Sequence, residues 1–198
     1  MSETSTALAA LIGSRICHDL ISPIGAINNG LELLSMSGNS SGPEIGLIGE
    51  SVGNASARIR FFRIAFGAAG DQMVGPAEVN SILRDLYESS RLDITWDVAD
   101  PVQRGDVRLA FLALMCAETA MPYGGRVSLS LSRAGWQLHG TADRINIDPD
   151  VWDMRATGAP KRNTPPSQVQ FALLPLIARD MGRVVTVQSD PSSVLIGF

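Results

Sequence analysis

Cysteine and histidine are scarce in this sequence, which has two residues of each type among its 198 residues. Cys17 and Cys116 are far apart, stand among apolar residues and form no Cys-x-x-Cys pair. Both cysteines are therefore expected to be reduced, buried thiols, as in most cytosolic proteins. Because nitrogen and sulfur ligands are so few and so scattered, a zinc cluster is excluded and no metal site is predicted.

Positive charge and long apolar segments are also lacking. The 16 Lys and Arg residues are outnumbered by 20 Asp and Glu residues, and the net charge is −4. Nucleic-acid-binding proteins usually carry a basic surface, so we expect no nucleic-acid partner. No basic segment precedes an apolar one at the N-terminus, and no uninterrupted run of about 18 apolar residues occurs. These absences predict a cytoplasmic protein with no membrane partner.

Hydrophobic residues make up 45% of the chain, and before residue 67 they follow two long helical patterns. Between Ser5 and Met36 they recur every three or four positions, which predicts an amphipathic helix. The residues in this pattern are Leu8, Ile12, Ile16, Leu20, Ile24, Ile27, Leu31 and Leu34. The segment SGNSSGP, from Ser37 to Pro43, then predicts a turn.

A second helix is predicted from Glu44, with apolar residues that alternate steps of three and four. That spacing is typical of the seam of a coiled coil or helical bundle. The seam residues are Ile45, Ile48, Val52, Ala55, Ile59, Phe62 and Phe66. A two-helix hairpin cannot bury both apolar faces by itself, whereas two copies can do so as a four-helix bundle. We therefore predict a homodimer.

The segment GAAGDQMVGP, from Gly67 to Pro76, predicts a linker, after which helical and strand patterns mix without strict alternation. A short helix capped by Asp148 and a helix ending at Gly182 are expected in this second part. The predicted fold class is α+β. Its two domains are a helical hairpin over residues 1–69, which carries dimerisation, and an α/β sandwich over residues 76–198.

His18 lies in the most informative segment, RICHDLISPIGAINNGLELL. It is predicted to lie off the apolar face of the first helix, among small or polar residues that leave its ring exposed. Those neighbours, which are the predicted partner contacts, are Ser14, Arg15, Ser22, Gly25 and Asn29. Histidine is partly neutral near neutral pH, and a neutral ring nitrogen can accept a phosphoryl group. Asp19 is suited to accept a hydrogen bond from the other ring nitrogen or to act as a base. The alternative is that His18 is a solvated residue without a role.

The string H-D-L-x-S-P, which starts at His18, resembles the H-box of two-component histidine kinases, H-E/D-L-R-T/N-P. It departs at Ile21, where kinases usually carry arginine. The resemblance implies that His18 is a phosphoryl acceptor and that the hairpin dimerises. Three arginines of the second helix are then candidates for contacting an acidic receiver surface, with solvated surface charge as the alternative. They are Arg58, Arg60 and Arg63.

Kinases of that family carry an ATP-binding domain after the hairpin, and here its nucleotide-binding positions are replaced. In LALMCAETA, Cys116 stands where an asparagine would hold magnesium, and a thiol is a poor ligand for a hard cation. Around Asp143 the glycines of a D-x-G-x-G motif are missing. No glycine occurs from residue 159 to 181, where a G-x-G loop would cradle phosphates. We expect a kinase-like scaffold that does not bind ATP.

A histidine hairpin on a kinase-like body without these groups resembles the ChpT family of histidine phosphotransferases over nearly the whole chain. The resemblance implies a dimeric carrier in an alphaproteobacterial phosphorelay, with His18 and Asp19 as catalytic residues. Its implied partners are the receiver domains of a hybrid histidine kinase (CckA in that family) and of response regulators such as CtrA and CpdR. It implies no cofactor of its own, because the magnesium ion belongs to the partner receiver.

Two other functions stay open on the sequence alone. A divergent ATP-dependent sensor histidine kinase would bind nucleotide, and a non-enzymatic scaffold would sequester a regulator without using His18. Ser22 also stands four residues after His18, where kinases carry a residue used to dephosphorylate receivers. A phosphatase role is therefore a further hypothesis.

Overall fold

The computed structural model describes residues 3–37, 43–68, 70–153, 159–161 and 163–198. The helices in these ranges are α1 (Glu3–Ser37), α2 (Pro43–Ala65), α3 (Pro76–Tyr87), α4 (Arg104–Ala120), α5 (Pro149–Trp152) and α6 (Val169–Asp180). The strands are β1 (Met73–Val74), β2 (Leu92–Asp97), β3 (Val102–Gln103), β4 (Gly125–Ser132), β5 (Gly135–Thr141), β6 (Thr186–Ser189) and β7 (Ser193–Gly197). A short 3-10 turn, Pro166–Gln168, leads into α6.

α1 and α2 form an antiparallel helical hairpin, as the apolar spacing predicts. The helices come closest at Gly30, where a Cβ atom would lie 2.6 Å from Cγ1 of Ile48. The missing side chain of glycine therefore permits this approach. α1 continues through Pro23 without a break, although proline removes one backbone donor from the helix. Most of the predicted turn, residues 38–42, lies outside the described residues.

Five strands form one sheet in the order β2-β4-β5-β7-β6. β2 runs parallel to β4, and the other neighbours pair antiparallel. Burial alternates along the central strands, so that Val127, Leu129 and Leu138 are buried while His139 is exposed. One face of the sheet therefore packs against the helices and the other faces solvent.

α4 lies at the centre of the core, with 12 of its 17 residues buried, so it is covered on nearly every side. The ring of Phe61 on α2 stacks on Phe111 of α4, with centroids 4.4 Å apart. Leu8 of α1 belongs to the same buried cluster. The hairpin and the sandwich thus share one hydrophobic core, and the predicted α+β class is confirmed. The domain limits 1–69 and 76–198 stay a prediction.

The predicted linker contains a strand that the sequence did not reveal. β1 pairs antiparallel with β3, with Val74 opposite Val102. Arg104 follows β3 and donates hydrogen bonds to the carbonyl oxygens of Arg63 (2.6 Å) and Ala68 (3.2 Å). Strands of two residues are too short to show a period. The sequence therefore did not predict the connection that β1, β3 and Arg104 make between α2 and α4.

Two predictions about helix ends are confirmed. The Oδ1 atom of Asp148 accepts a hydrogen bond from the backbone N–H of Asp150 at 3.0 Å, which caps α5. Gly182 follows α6 with a φ of +70°, a left-handed conformation that favours glycine.

The prediction of two buried thiols is right for Cys116 and wrong for Cys17. Both cysteines are free, but Cys17 is exposed on α1. Its neighbours Ile16 and Leu20 are apolar, yet the residue itself lies on the outer side of the hairpin beside His18. An apolar neighbourhood in sequence does not bury a residue when the helix turns it outward.

α1 is long and apolar enough to cross a membrane when only length and composition are considered. The stretch Thr4–Leu34 reaches a mean hydropathy of 1.2, and 6% of its apolar window is buried. No uninterrupted apolar run marks this helix in the sequence, because its apolar residues are interspersed with polar ones. The ion pair between Arg15 and Asp19 lies in the middle of the stretch, a position that is costly in lipid.

Candidate functional site

His18 stands on the outer side of α1 with 82% of its side chain exposed. Ser14 and Ser22, one turn away on either side, are also exposed and too short to cover the ring. The sequence-based expectation of an accessible imidazole agrees with this placement. A ring in this position is open to a protein surface and is enclosed by no pocket.

Asp19 orients the histidine ring. Its Oδ1 atom lies 3.1 Å from Nδ1 of His18, while the carboxylate itself is only 10% exposed. A carboxylate can only accept hydrogen bonds, so a neutral ring that makes this contact carries its hydrogen on Nδ1 and keeps the lone pair on Nε2. Asp19 therefore directs Nε2 away from the helix as the free nucleophilic atom.

Two arginines hold the other oxygen of Asp19. Nε of Arg15 donates to Oδ2 at 2.7 Å, one helical turn away on α1. Nη1 of Arg58, on α2, lies 3.8 Å from the same oxygen, and its Nε donates to Asn54 at 2.9 Å. The carboxylate is thus fixed from both helices of the hairpin, next to His18.

Arg15 is directed inward, although the sequence predicted it as a partner contact on the surface. Its Nη1 donates to the carbonyl oxygen of Ser167 at 2.8 Å, and 16% of its side chain is exposed. Ser167 lies in the 3-10 turn before α6, so the α/β part of the chain reaches the histidine site. The remaining predicted contacts lie along the outer side of α1: Ser14, Ser22 and Asn29 are exposed and Gly25 is half-buried.

A shallow groove of about 450 Å³ runs beside His18 between the two helices. It is lined by His18, Asp19, Ser22, Pro23, Leu47, Glu50, Ser51, Asn54 and Arg58. Of the three arginines considered on α2, only Arg58 belongs to it, whereas Arg60 pairs with Asp85 on α3. An open groove of mixed polarity suits a protein partner better than a small molecule, which needs a deeper cleft.

The sequence did not predict a polar pair beside the site, formed by the buried Tyr87 and the exposed Glu118. The hydroxyl of Tyr87 donates to Oε2 of Glu118 at 3.3 Å, and both side chains face the inner side of Arg15 and Arg58. Burial raises the pKa of the Glu118 carboxyl, while the two guanidiniums and the tyrosine hydrogen bond act in the opposite direction. The one available signal was an acidic residue within the apolar segment LALMCAETA.

The structure places two of the positions that the sequence analysis compared with a kinase nucleotide site, Cys116 and Asp143. Cys116 is 1% exposed inside α4, and burial raises the pKa of its thiol well above the usual value. A neutral thiol in an apolar core offers a hard cation no charge and no access. Asp143 is exposed at the end of β5. Among the described residues, no group of three or more His, Cys, Asp or Glu side chains is arranged to hold a metal ion.

Comparison with known proteins agrees with this geometry. Residues 76–193 match the sequence model of a family described as the histidine phosphotransferase C-terminal domain. The chain is 30% identical over 195 residues to protein phosphotransferase ChpT of Brucella abortus (strain 2308), covering 95% of this chain and 93% of that protein. A bacterial phosphotransferase of known structure superposes with a TM-score of 0.79 and 31% identity, over 99% of this chain and 97% of the other.

A histidine kinase, AdeS of Acinetobacter baumannii, superposes with a TM-score of 0.45 and 13% identity over 90% of this chain and 94% of that chain. The family match spans well over half of the sequence, and the relative covers nearly all of it. This chain belongs to the histidine phosphotransferase family. Within that family it is a ChpT-type protein.

Proposed function

We propose that the protein carries a phosphoryl group between the receiver domains of a two-component phosphorelay, on Nε2 of His18. The observation that carries this proposal is the pairing of an exposed imidazole with a buried, doubly held carboxylate. Family membership supports the phosphotransferase activity, and the exposed ring supports His18 as its acceptor.

The transfer needs no proton donor. The lone pair of Nε2 attacks the phosphorus of an aspartyl phosphate, and an N–P bond forms. The P–O bond to the receiver aspartate breaks, and the aspartate leaves as a carboxylate with the electron pair of that bond. The ring becomes positively charged, and the Asp19 carboxylate next to Nδ1–H stabilises that charge. A second receiver takes the group by the reverse reaction.

The receivers supply the remaining groups, including their own magnesium ion, so the carrier requires no cofactor. Ser14, Ser22, Gly25 and Asn29 border His18 and form the contact surface in this proposal. The donor is the receiver of a hybrid histidine kinase, and the acceptors are the receivers of response regulators. Such relays operate in the cytoplasm, where we place the protein.

The phosphoryl group comes from a receiver rather than from ATP in this proposal. The buried thiol of Cys116 and the absence of glycine from residue 159 to 181 support that assignment. A loop without glycine cannot bring its backbone as close to phosphates as the kinase motif does.

The proposal includes a homodimer of the chain. Thirteen large hydrophobic side chains are exposed in the described part of the chain, and nine of them lie on α1 or α2. They include Ile24 and Leu31 on α1 and Val52 and Ile59 on α2, each between 47% and 54% exposed. A second hairpin packed on this face would bury them in a four-helix bundle.

The proposal is tested by transfer of labelled phosphate from a phosphorylated receiver domain to the full chain. We expect label on the wild-type protein and none on His18→Gln. The matched control is His139→Gln, which removes the other histidine, exposed on β5, and retains full labelling. A third incubation contains labelled ATP and no receiver, and we expect no label there.

Label from ATP alone would contradict the relay and favour a divergent histidine kinase. Label that persists on His18→Gln would move the acceptor to another residue. Absence of label by either route would favour a scaffold that binds regulators without chemistry.

A further inference from the structure

Gln170, the second residue of α6, is a polar side chain that is almost completely buried. Only 1% of it is exposed, in a core made of apolar residues. Its Nε2 atom lies 2.8 Å from the carbonyl oxygen of Ser167, 3.3 Å from Oγ1 of Thr119 and 3.5 Å from the carbonyl oxygen of Met115. Its Oε1 atom is buried and has no hydrogen-bond partner among the described residues.

These neighbours fix the orientation of the amide. Two of the three atoms around Nε2 are carbonyl oxygens, which accept and never donate. Rotating the amide by a half turn would place Oε1 against both of them, so the donor must face Ser167. A buried amide that leaves its own oxygen unsatisfied costs stability. Because packing alone would not require a residue with this cost, we assign a role to the Nε2 donor of Gln170.

The carbonyl oxygen of Ser167 accepts from two side chains at once. Gln170 approaches it from inside the core and Nη1 of Arg15 approaches it from α1, each at 2.8 Å. Gln170 therefore holds in place the acceptor that anchors Arg15. The same guanidinium binds Asp19 through Nε, and Asp19 contacts the ring of His18. A continuous hydrogen-bonded path links the core of the kinase-like body to the exposed histidine.

Arg15 has a second carboxylate within reach. A cavity of about 100 Å³ lies between Arg15, Asp19, Arg58 and Glu118, and the buried Tyr87 closes its inner side. Glu118 forms no ion pair with Arg15 in the structure, but their charges interact across this space. A guanidinium released from Ser167 could turn to Glu118, because the two opposite charges attract each other across the cavity. The hydrogen bond to Ser167 therefore determines whether Arg15 pairs with Asp19 or with Glu118.

We propose that Gln170 is a positioning residue for phosphoryl transfer, which holds Arg15 on Asp19 through the Ser167 carbonyl and so fixes the ring of His18. This role rests on the proposed function of His18. The kinase-like body acts here as a fixed brace for the histidine. Helix α6 contributes the Gln170 amide, which holds the Ser167 carbonyl.

The test compares Gln170→Met with the wild-type full chain. Methionine keeps the unbranched shape and removes the donor. Two quantities are measured: the rate of transfer from a phosphorylated receiver, and the tautomer ratio of the neutral His18 ring from its nitrogen NMR shifts, assigned with His139→Gln. We expect transfer to slow roughly threefold to tenfold, the range of couplings carried through packed networks, and the Nδ1–H form to lose population.

Thr119→Val is the matched control, because it removes another hydrogen-bond partner of the Gln170 amide and leaves the Ser167 bond in place. It should leave both quantities unchanged. The double variant Gln170→Met with Glu118→Gln removes the rival carboxylate, and we expect it to restore the tautomer ratio. If Gln170→Met does not fold, Gln170→Asn, which shortens the amide by one methylene, takes its place under the same criteria.

Wild-type rate and tautomer ratio in a folded Gln170 variant would overturn the proposal. An equal change of the transfer rate and the tautomer ratio in Thr119→Val would also overturn it. The loss of a different hydrogen bond of Gln170 would then have the same effect as the loss of the bond to Ser167. The NMR ratio needs no phosphate, so it tests the brace even where no label is transferred. Failure of transfer in the wild-type protein is thereby a separate result, which bears on the proposed function alone.

Discussion

α1 and α4 are both apolar helices, yet they use their apolar residues in opposite ways. α4 is buried on nearly every side, and Leu109, Leu112 and Leu114 are each 0% exposed. On α1, Ile21 and Met36 are 68% and 84% exposed, and few side chains are buried. Composition alone does not separate the two helices. Their difference lies in what the rest of the chain packs around them.

The comparison separates residues that maintain the fold from residues that remain available to partners. The body around α4 is complete within one chain, because helices and sheet enclose it. The hairpin meets this body toward its open end, where Phe61 and Leu8 join the core and Arg15 reaches Ser167. Further along, its apolar face has no partner within the described residues. Four predictions follow from this division, in order of decreasing effect.

The largest loss of stability is expected in the body. Phe111 is 0% exposed and stacks on Phe61, so Phe111→Ala leaves a cavity at the junction of hairpin and sandwich. Replacing a buried phenylalanine by alanine costs about 3–5 kcal/mol of unfolding free energy. Urea unfolding followed by circular dichroism measures this loss. Leu31→Ala on the exposed face is the comparison, and a similar loss there would contradict the division.

The next effect concerns association rather than folding. Val52 is 47% exposed on α2, and Val52→Glu places a charge on the proposed dimer face. We expect the dimer dissociation constant to rise by roughly tenfold or more, because a buried unpaired charge is costly. Sedimentation at several concentrations measures it. Val184→Glu, at a residue 79% exposed near β6, should leave association unchanged. A monomeric wild type would refute the dimer.

Glu118 gives an intermediate effect that depends on pH. Its pKa is raised by burial, so the folded protein binds this proton more tightly than the unfolded chain, whose carboxyl titrates near 4.5. The resulting stabilisation is present below that value and is lost as pH rises through the folded pKa. Glu118→Gln does not titrate, so its stability relative to wild type should increase as pH rises above 4.5.

Unfolding in urea at several pH values measures this trend, with Glu88→Gln as the control at the residue that follows α3. If the stability of Glu118→Gln relative to wild type fell with rising pH, the prediction would be wrong. The attraction of Arg15 and Arg58, and not burial, would then determine the direction in which the pKa of Glu118 is shifted.

The smallest effect is local to the turn between β6 and β7. Ser192 and Ser193 hydrogen bond to Asp190 through both their amides and their hydroxyls, which holds the pKa of Asp190 at about 2. Asp190→Ala should speed amide hydrogen exchange at both serines and leave the thermal midpoint of the protein nearly unchanged. Unchanged exchange would mean that backbone geometry alone holds the turn.

The sequence predicted most of the helices and the main strands, because their periods extend over many residues. The helical pattern from Ser5 to Met36 matches α1 within a few residues, and the alternation in β4 and β5 is present in the structure. The α2 seam stays a prediction, because it was expected to pack against a second copy. Ile45, Val52 and Ile59 of that seam are exposed in the single chain, and the side of α2 that packs on the body carries Phe61 and Ile64.

The exposure of His18 beside Asp19 was also predicted, from small neighbours at helical offsets. The anchoring of that pair could not be predicted. Arg15 and Ser167 are separated by 152 positions, and their contact joins a side chain to a backbone oxygen. Backbone acceptors have no signature in residue type, and short strands such as β1 have no period. Long-range contacts of this kind become visible only when the fold is known.

The contact between Arg15 and Ser167 has a consequence for biosynthesis. A ribosome makes α1 first, so His18 emerges long before residue 167. Until then His18 has left the ribosome, but Ser167, whose carbonyl oxygen anchors Arg15, has not yet been synthesised. A nascent or truncated chain that stops before residue 167 would display the imidazole without the contact that orients it. The arrangement around His18 is therefore complete only after residue 167 has been synthesised and has reached Arg15.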